Sequence, residues 1–195
     1  MKWIDFEREI KAKNIKLFTP FDIQRFLGRT KIAARFLIHR LKKQGYILGL
    51  KRGLYQLSDE YVPDLYLANK LYEPSYVSLE FALSYHQVIP ETVYEITSVT
   101  TKATRSFPAL GKLFTYRSIK KEAFTGYVSK KQDGVNYLIA EPEKAFVDYI
   151  YLRIRAGEEP LRRFDKEKIN LDKALHWAEL FDNYKLIGVI KKMFR

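Results

Sequence analysis

FTPFDIQRFLGRTKIAARFLIHRLKKQGYILGLKRGLYQL, residues Phe18 to Leu57, carries two helix starts, two helix stops and a hairpin in close succession. Thr19 before Pro20 is a start signal. A threonine hydroxyl can accept from a free N–H of the first turn, and proline at the first helical position gives up a donor that has no partner there anyway. The helix from Pro20 to Leu27 is expected to pack with Ile23, Phe26 and Leu27, and Gly28 stops it by tolerating left-handed backbone. Thr30 caps a longer helix to about Gln44, which Gly45 ends. On a helical wheel, Ala33, Phe36, Leu37 and Leu41 share one arc and are expected to bury. Lys31, Arg35, His39 and Lys42 share another, with Lys43 at its edge. Arg40 falls on the apolar arc, where it either snorkels past Leu37 or pairs with a carboxylate elsewhere. Tyr46 to Leu50 and Leu54 to Leu57 read as two strands joined across Lys51-Arg52-Gly53.

Helix, turn, helix and a hairpin with a basic tip make the layout of a winged helix-turn-helix. In that fold the second helix enters the major groove, and the hairpin is expected to follow the phosphates. The candidate DNA contacts are Arg29, Thr30, Lys31, Arg35, His39, Lys42, Lys43, Lys51 and Arg52. Lys31, Arg35 and His39 would face base edges, while Lys42, Lys51 and Arg52 would hold phosphates. Charge agrees with this reading. Between Asp22 and Asp59 the sequence has nine Lys and Arg and no acid. Residues 1–60 carry 14 Lys and Arg against 6 Asp and Glu, so two thirds of the net +12 sits in under a third of the chain. Any solvated helix can be basic on one face; here the charge follows the exposed faces of an ordered set of elements, which favours nucleic acid.

The totals narrow the classes. A length of 195 residues allows one or two domains. A hydrophobic share of 47% with 15% aromatics supports packed cores and excludes a disordered basic tail. With no cysteine there is no disulfide framework and no thiolate metal site, which fits a reducing cytoplasm. No apolar run approaches the roughly 18 residues that span a bilayer. The start, MKWIDFEREI, mixes both charge signs and does not read as a secretion signal. A pI near 9.6 points to an anionic partner, nucleic acid ahead of membrane.

In chain order, Trp3, Phe6 and Ile10 mark an amphipathic first helix over residues 3–13, and Ile15 to Phe18 a short strand. Acids return at Asp59 and Glu60, which places a boundary at about residue 60: a winged helix-turn-helix over 1–60 and an α/β domain over 61–195. The second part reads as helices over 65–72, 78–86, 142–155, 173–181 and 184–194. Strands are expected over 93–100, 113–119 and 135–139, with a weaker one over 124–128. The fold class is α+β, the second domain being helices around a small, mostly antiparallel sheet.

Two runs in this second part stand out: EPSYVSLEFALSYHQVIPETVYEITSVTTKATRSF, Glu73 to Phe107, and AEPEKAFVDYIYLR, Ala140 to Arg153. Together they resemble the AbiEi-type antitoxins of type IV toxin–antitoxin and abortive-infection systems. The likeness is carried by Pro74, Ser75, Tyr76, Ser78, Leu79, Tyr85 and His86, by Ile89-Pro90-Glu91 and Thr97 to Lys102, and by Thr104, Arg105, Pro142 to Ala145 and Asp148. Gln87 stands where glycine is usual, and Glu141 where threonine is usual. The resemblance spans about residues 18–155. It implies a DNA-binding repressor of its own operon whose second domain neutralises a nucleotidyltransferase-type toxin encoded alongside, without needing a stable complex. The DNA partner would be a double-stranded operator, an inverted repeat bound by two monomers or by a weak dimer.

A further acid-free window, Ile96 to Lys121, contains Thr100, Thr101, Lys102, Thr104 and Arg105, read as a polar loop whose hydroxyls and cations suit phosphate oxygens. A solvated loop between strands accounts for it equally well. Catalysis is not expected: His39, His86 and His176 are far apart, no metal spacing or glycine-rich phosphate loop occurs, and no cofactor is implied. His86 reads as a helix-end histidine satisfied by backbone. Two other classes stay open. One is a nucleic-acid-processing enzyme that docks substrate on the winged helix and gathers Glu80, His86 and Asp148; the other is a protein-interaction module with an incidental basic face.

Overall fold

The computed structural model describes residues 3–195; Met1 and Lys2 of the N-terminal run lie outside the described residues. The chain forms two compact units, Met1–Pro63 and Asp64–Arg195, so the division falls at the proline just beyond the expected boundary. The whole is mixed α and β, with a small antiparallel sheet in the first unit and a larger mixed sheet in the second.

The first unit contains α1 (Trp3–Ala12), α2 (Pro20–Leu27), α3 (Lys31–Lys43) and the antiparallel strands β1 (Ile47–Lys51) and β2 (Leu54–Leu57). Its core gathers Phe6 and Ile10 of α1, Ile23 and Leu27 of α2, Ala34, Ile38 and Leu41 of α3, and Phe18, Ile47 and Leu57. Phe6 meets Phe18 and Phe26 edge-on, with ring centroids 5.4 and 5.3 Å apart, a geometry the ring quadrupoles favour. The strand expected over Ile15–Phe18 reduces to one bridge: Phe18 and Tyr55 exchange both backbone bonds at 2.9 Å.

The start of α2 is a complete capping box. The Asp22 amide donates to Thr19 Oγ1 at 3.3 Å, and the Thr19 amide donates back to Asp22 Oδ2 at 2.8 Å. Gly28, at φ 59°, closes the same helix in the left-handed region. We expect Thr19→Ala to lower the unfolding free energy by about 0.5–2 kcal/mol, measured by urea denaturation. An unchanged midpoint would show that Pro20 and Asp22 suffice without the cap.

The second unit contains α4 (Asp64–Leu71), β3 (Ser75–Val77), α5 (Leu79–Tyr85), β4 (Ile96–Thr100), β5 (Arg105–Ala109), β6 (Lys112–Ser118), β7 (Tyr127–Gln132), β8 (Val135–Ala140), α6 (Pro142–Ala156), α7 (Leu171–Glu179) and α8 (Tyr184–Met193). The sheet order is β5-β6-β4-β3-β8-β7. Pairs β5/β6, β3/β4 and β7/β8 are antiparallel, while β4/β6 and β3/β8 are parallel. The expected small, mostly antiparallel sheet is therefore a six-stranded mixed one. Two strands are added, β3 and β5, and β5 takes up the end of the expected loop from Arg105 onward.

Register assigns the two faces. Tyr76 pairs with Val99 and Ser98 with Tyr116, so Tyr76 and Tyr116 lie on opposite faces. The Tyr116 hydroxyl donates to the Ala68 carbonyl of α4, and the Tyr76 hydroxyl donates to Asp148 of α6. Helices thus cover both faces, and all five residues of β4 are buried, as expected for a strand covered on both sides. The edge strands carry their own protection: Pro108 in β5, and Lys130 with Lys131 in β7. Helix α6 was expected to have one apolar side, yet every residue from Glu143 to Tyr151 is buried.

Candidate functional site

The burial of α3 sets the face it offers. Its buried stripe is Ala34, Ile38 and Leu41, with Leu37 packed against the core. Leu41 and Leu37 therefore turn inward as expected, while Phe36 is exposed and Ala33 only half-buried, which corrects that part of the expected arc. Ala34 is fully buried in the same cluster as Ile23 and Leu27 of α2, where a small side chain lets two helices approach closely; Phe36 would be too large for that seat. The outer face consequently carries Ile32, Arg35, Phe36 and His39, at i, i+3, i+4 and i+7, around a shallow cavity of about 460 Å³. Arg40, whose place the wheel left open, is exposed.

Around this face the candidate cations are mostly in solvent. Arg29, Lys31, Arg35, His39, Lys42, Lys43 and Arg52 are exposed, and Lys51 at the hairpin turn is half-buried. Thr30 is exposed too, although its hydroxyl caps α3 by accepting from the Ala33 amide at 3.3 Å. The Lys42 side chain lies along the hairpin at Gly49, where a Cβ would stand 3.2 Å from its Nζ. Gly49 thereby lets a lysine of α3 reach across β1.

Ion pairing distinguishes the lysines of α1 and the adjoining loop from the cations of α3. On α1 and the adjoining loop, Lys11 binds Glu7 and Asp59, Lys13 binds Glu9, and Lys16 binds Glu60. Among the described residues, Arg29, Lys31, Arg35, Arg40, Lys42, Lys43 and Arg52 pair with no carboxylate. Of the acids of the first unit, Glu7, Glu9, Asp59 and Glu60 pair with lysines of α1 and the loop after it, and Asp22 caps α2. What is left is a cationic surface with apolar side chains at its centre, suited to a polyanion.

In the second unit, the candidates Thr100, Thr101, Lys102, Thr104 and Arg105 do not form one open loop. Thr100 is a correction: it is buried at the end of β4, donates from Oγ1 to the Pro74 carbonyl at 2.7 Å and accepts from the Lys102 amide. A hydroxyl with both of its bonds made inside the fold is not a surface contact. Thr101 is half-buried, while Lys102, Thr104 and Arg105 are exposed. Thr104 Oγ1 accepts from the Ser118 amide at 3.2 Å. Lys102 and Arg105 both lie over the Tyr72 ring, 5.7 and 5.9 Å from its centre. Tyr72, which the sequence reading leaves aside, is the platform of this segment; its hydroxyl also holds the Ala103 carbonyl at 3.1 Å.

Glu80, His86 and Asp148 each have separate surroundings. Glu80 lines a cleft of about 780 Å³ with Glu95, Arg117, Tyr149, Arg153 and Glu158. Burial, and then the charge of Glu95, raise its carboxyl above the usual range, against the pull of Arg117 and Arg153. The cleft balances its own charges, since Arg153 binds Glu158 at 3.2 Å and the Tyr149 hydroxyl at 3.1 Å. His86 Nε2 lies 2.8 Å from the Ala140 carbonyl, the backbone satisfaction expected of a helix-end histidine. Gln87, just beyond it, takes φ 56° without glycine's freedom.

Asp148 is fully buried. One oxygen accepts from Tyr76 at 2.9 Å and from Ser78 at 2.8 Å, and the other is paired with Lys144, which is buried as completely. The lysine stem fills the space beside Gly126, where any Cβ would come within 2.8 Å of it, and its ammonium lies over the Phe181 ring. Burial pushes Asp148 up and Lys144 down, with their mutual attraction opposing both shifts. This network ties α6 to β3 and the segment before β7. The i, i+4 spacing of Lys144 and Asp148 was the available sequence signal for it.

No protein-family model matches this chain, and no curated protein resembles it closely enough to count as a relative. Among the described residues, no helix is long and apolar enough to cross a membrane, and no group of three acidic or histidine side chains is placed to hold a metal ion.

Proposed function

We propose that the first unit is a winged helix-turn-helix that binds duplex DNA. In this reading the chain is a cytoplasmic antitoxin and transcriptional repressor of its own type IV toxin–antitoxin operon, and its second unit neutralises a nucleotidyltransferase-type toxin. The observation that carries the DNA half is the set of exposed cations on α3, with Arg52 at the hairpin turn, that pair with no carboxylate, while Lys11 of α1 and Lys13 just after it are paired. Held in place and unpaired, such groups exchange solvent ions for phosphates on binding. The antitoxin half rests on the likeness of residues 73–107 and 140–153 to AbiEi-type proteins.

The test uses one strain with two readouts. A reporter is driven by the DNA upstream of the gene, and growth is followed while the neighbouring toxin is induced. We expect the intact chain to repress the reporter and restore growth. Replacing Lys51 and Arg52 by alanine should relieve repression and leave growth restored. No repression by the intact chain would remove the DNA half, and no rescue would remove the antitoxin half.

The cleft beside Glu80 favours one second reading, a nucleic-acid-processing enzyme whose first unit docks substrate. Its raised carboxyl would be the acid or base, since His86 and Asp148 are held by other partners. Turnover of a nucleotide by the purified protein, abolished by Glu80→Gln, would favour it over repression alone.

A further inference from the structure

The DNA reading accounts for the cations but not for what lies between them. Ile32 is 67% exposed and Phe36 is 73% exposed, one helical turn apart, on the same outer face of α3 as Arg35 and His39. An aromatic and a β-branched side chain side by side in water make an apolar patch that a folded protein normally covers. Whatever covers this one must also accept its surroundings. Lys31, Lys42, Lys43 and Arg52 are exposed nearby in the chain, and residues 23–58 contain no acid. A second copy docking through the same face would bring like charge against like charge.

Duplex DNA meets both demands. Its rim is phosphate, and its major-groove floor carries one exposed apolar group, the C5 methyl of thymine. Ile32 and Phe36 lie about 6 Å apart along the helix axis, close to two base steps of about 3.4 Å each. Arg35, between them in sequence, has the fork that matches guanine O6 and N7. We propose that Ile32 and Phe36 read thymine methyl groups, so that each operator half-site places thymines on either side of a base read by Arg35. This inference rests on the DNA-binding reading and deepens it: the centre of the site selects by apolar contact and its edges by charge.

The experiment selects duplexes from a random library with the full chain. The best duplex is then rebuilt with single thymines replaced by deoxyuridine, which removes the methyl and keeps the base pair. We expect one or two positions per half-site to lose about fourfold in affinity, the worth of one buried methyl-sized group. Phe36→Ala or Ile32→Ala should abolish that loss at its own position, while Arg35→Ala should retain it. Both apolar side chains are exposed, so unchanged melting temperatures will show that the variants fold. Equal binding of thymine and uracil duplexes, with scrambled DNA still rejected, would overturn the methyl reading and leave the operator reading intact. If no duplex is enriched over scrambled DNA, the operator reading falls and this inference with it. A Phe36→Ala variant that changes sedimentation would assign the face to a second copy and overturn it as well.

Discussion

Lys144→Met should lower the melting temperature of the protein by roughly 10 °C or more, and the loss should be larger at pH 8 than at pH 5. The variant leaves the fully buried Asp148 with its two hydroxyl donors, Tyr76 and Ser78, but without its cation. Breaking a buried pair by removing one partner costs about 3–5 kcal/mol, which for a unit of this size corresponds to the shift stated. The pH dependence follows from the direction of the Asp148 shift. Burial already raises this carboxyl, and removing Lys144 takes away the first of the influences that lower it. A carboxyl raised in the folded state favours folding below its unfolded value, and that contribution is lost as pH rises through the folded value. The variant therefore recovers in acid, where Asp148 enters the core protonated. Adding Asp148→Asn to Lys144→Met should restore most of the stability at pH 8, because the amide oxygen still accepts from Tyr76 and Ser78 and no charge is left unpaired. Equal losses at the two pH values, with no rescue by the second change, would contradict a charged pair at this position.

The second large effect concerns the face of α3. Arg35→Ala is expected to lose about 5- to 150-fold in affinity for the preferred duplex, equivalent to roughly 1–3 kcal/mol of base discrimination, with little change on scrambled DNA. Arg52→Ala, at the hairpin turn, should weaken all duplexes by a similar factor and reduce the salt slope by about one. The two residues share exposure and freedom from ion pairs; they differ in place, one at the centre of the helix face and one on the hairpin. Titrations with fluorescent duplexes read both. Loss of affinity in the same proportion on both DNAs by both variants would show that α3 does not read bases.

The ease of reading the sequence differs between the units for physical reasons. In the first, local chemistry is strong: Thr19, Gly28 and Thr30 act where a cap or a left-handed residue is needed, and the observed ends of α2 and α3 follow from them. Which side of α3 is buried is another matter. The helix carries Ile32, Ala33, Ala34, Phe36, Leu37, Ile38 and Leu41, so apolar residues occupy nearly every direction and periodicity alone cannot choose between arcs about one residue apart. The choice is made by α2 and the hairpin, which admit Ala34 and Ile38 and turn Phe36 outward. That rotation placed Ile32 and Phe36 beside Arg35 and His39, which the wheel did not anticipate.

In the second unit the helices are legible and the sheet less so. Strand β5 contains Arg105, Ser106 and Pro108, residues that read as loop, and it is a strand because it pairs along β6 at the sheet edge. Parallel pairing of β4 with β6 and of β3 with β8 joins segments separated by other elements, which no local pattern announces. Thr100 looked like part of a polar surface for the same reason. Its hydroxyl turns inward because β3 pairs alongside, Ser75 opposite Thr100, and brings the Pro74 carbonyl within 2.7 Å.

Operator reading by α3 and the hairpin is tested most directly by anisotropy titration of the whole chain with the duplex upstream of its own gene and with a scrambled duplex, each at two salt concentrations. We expect a preference of about 10³ or more for the native duplex, and a log affinity that falls with log salt by about 0.9 per phosphate contact. Equal affinity for the two duplexes would contradict it, and would leave the exposed cations of the first unit as a general polyanion surface.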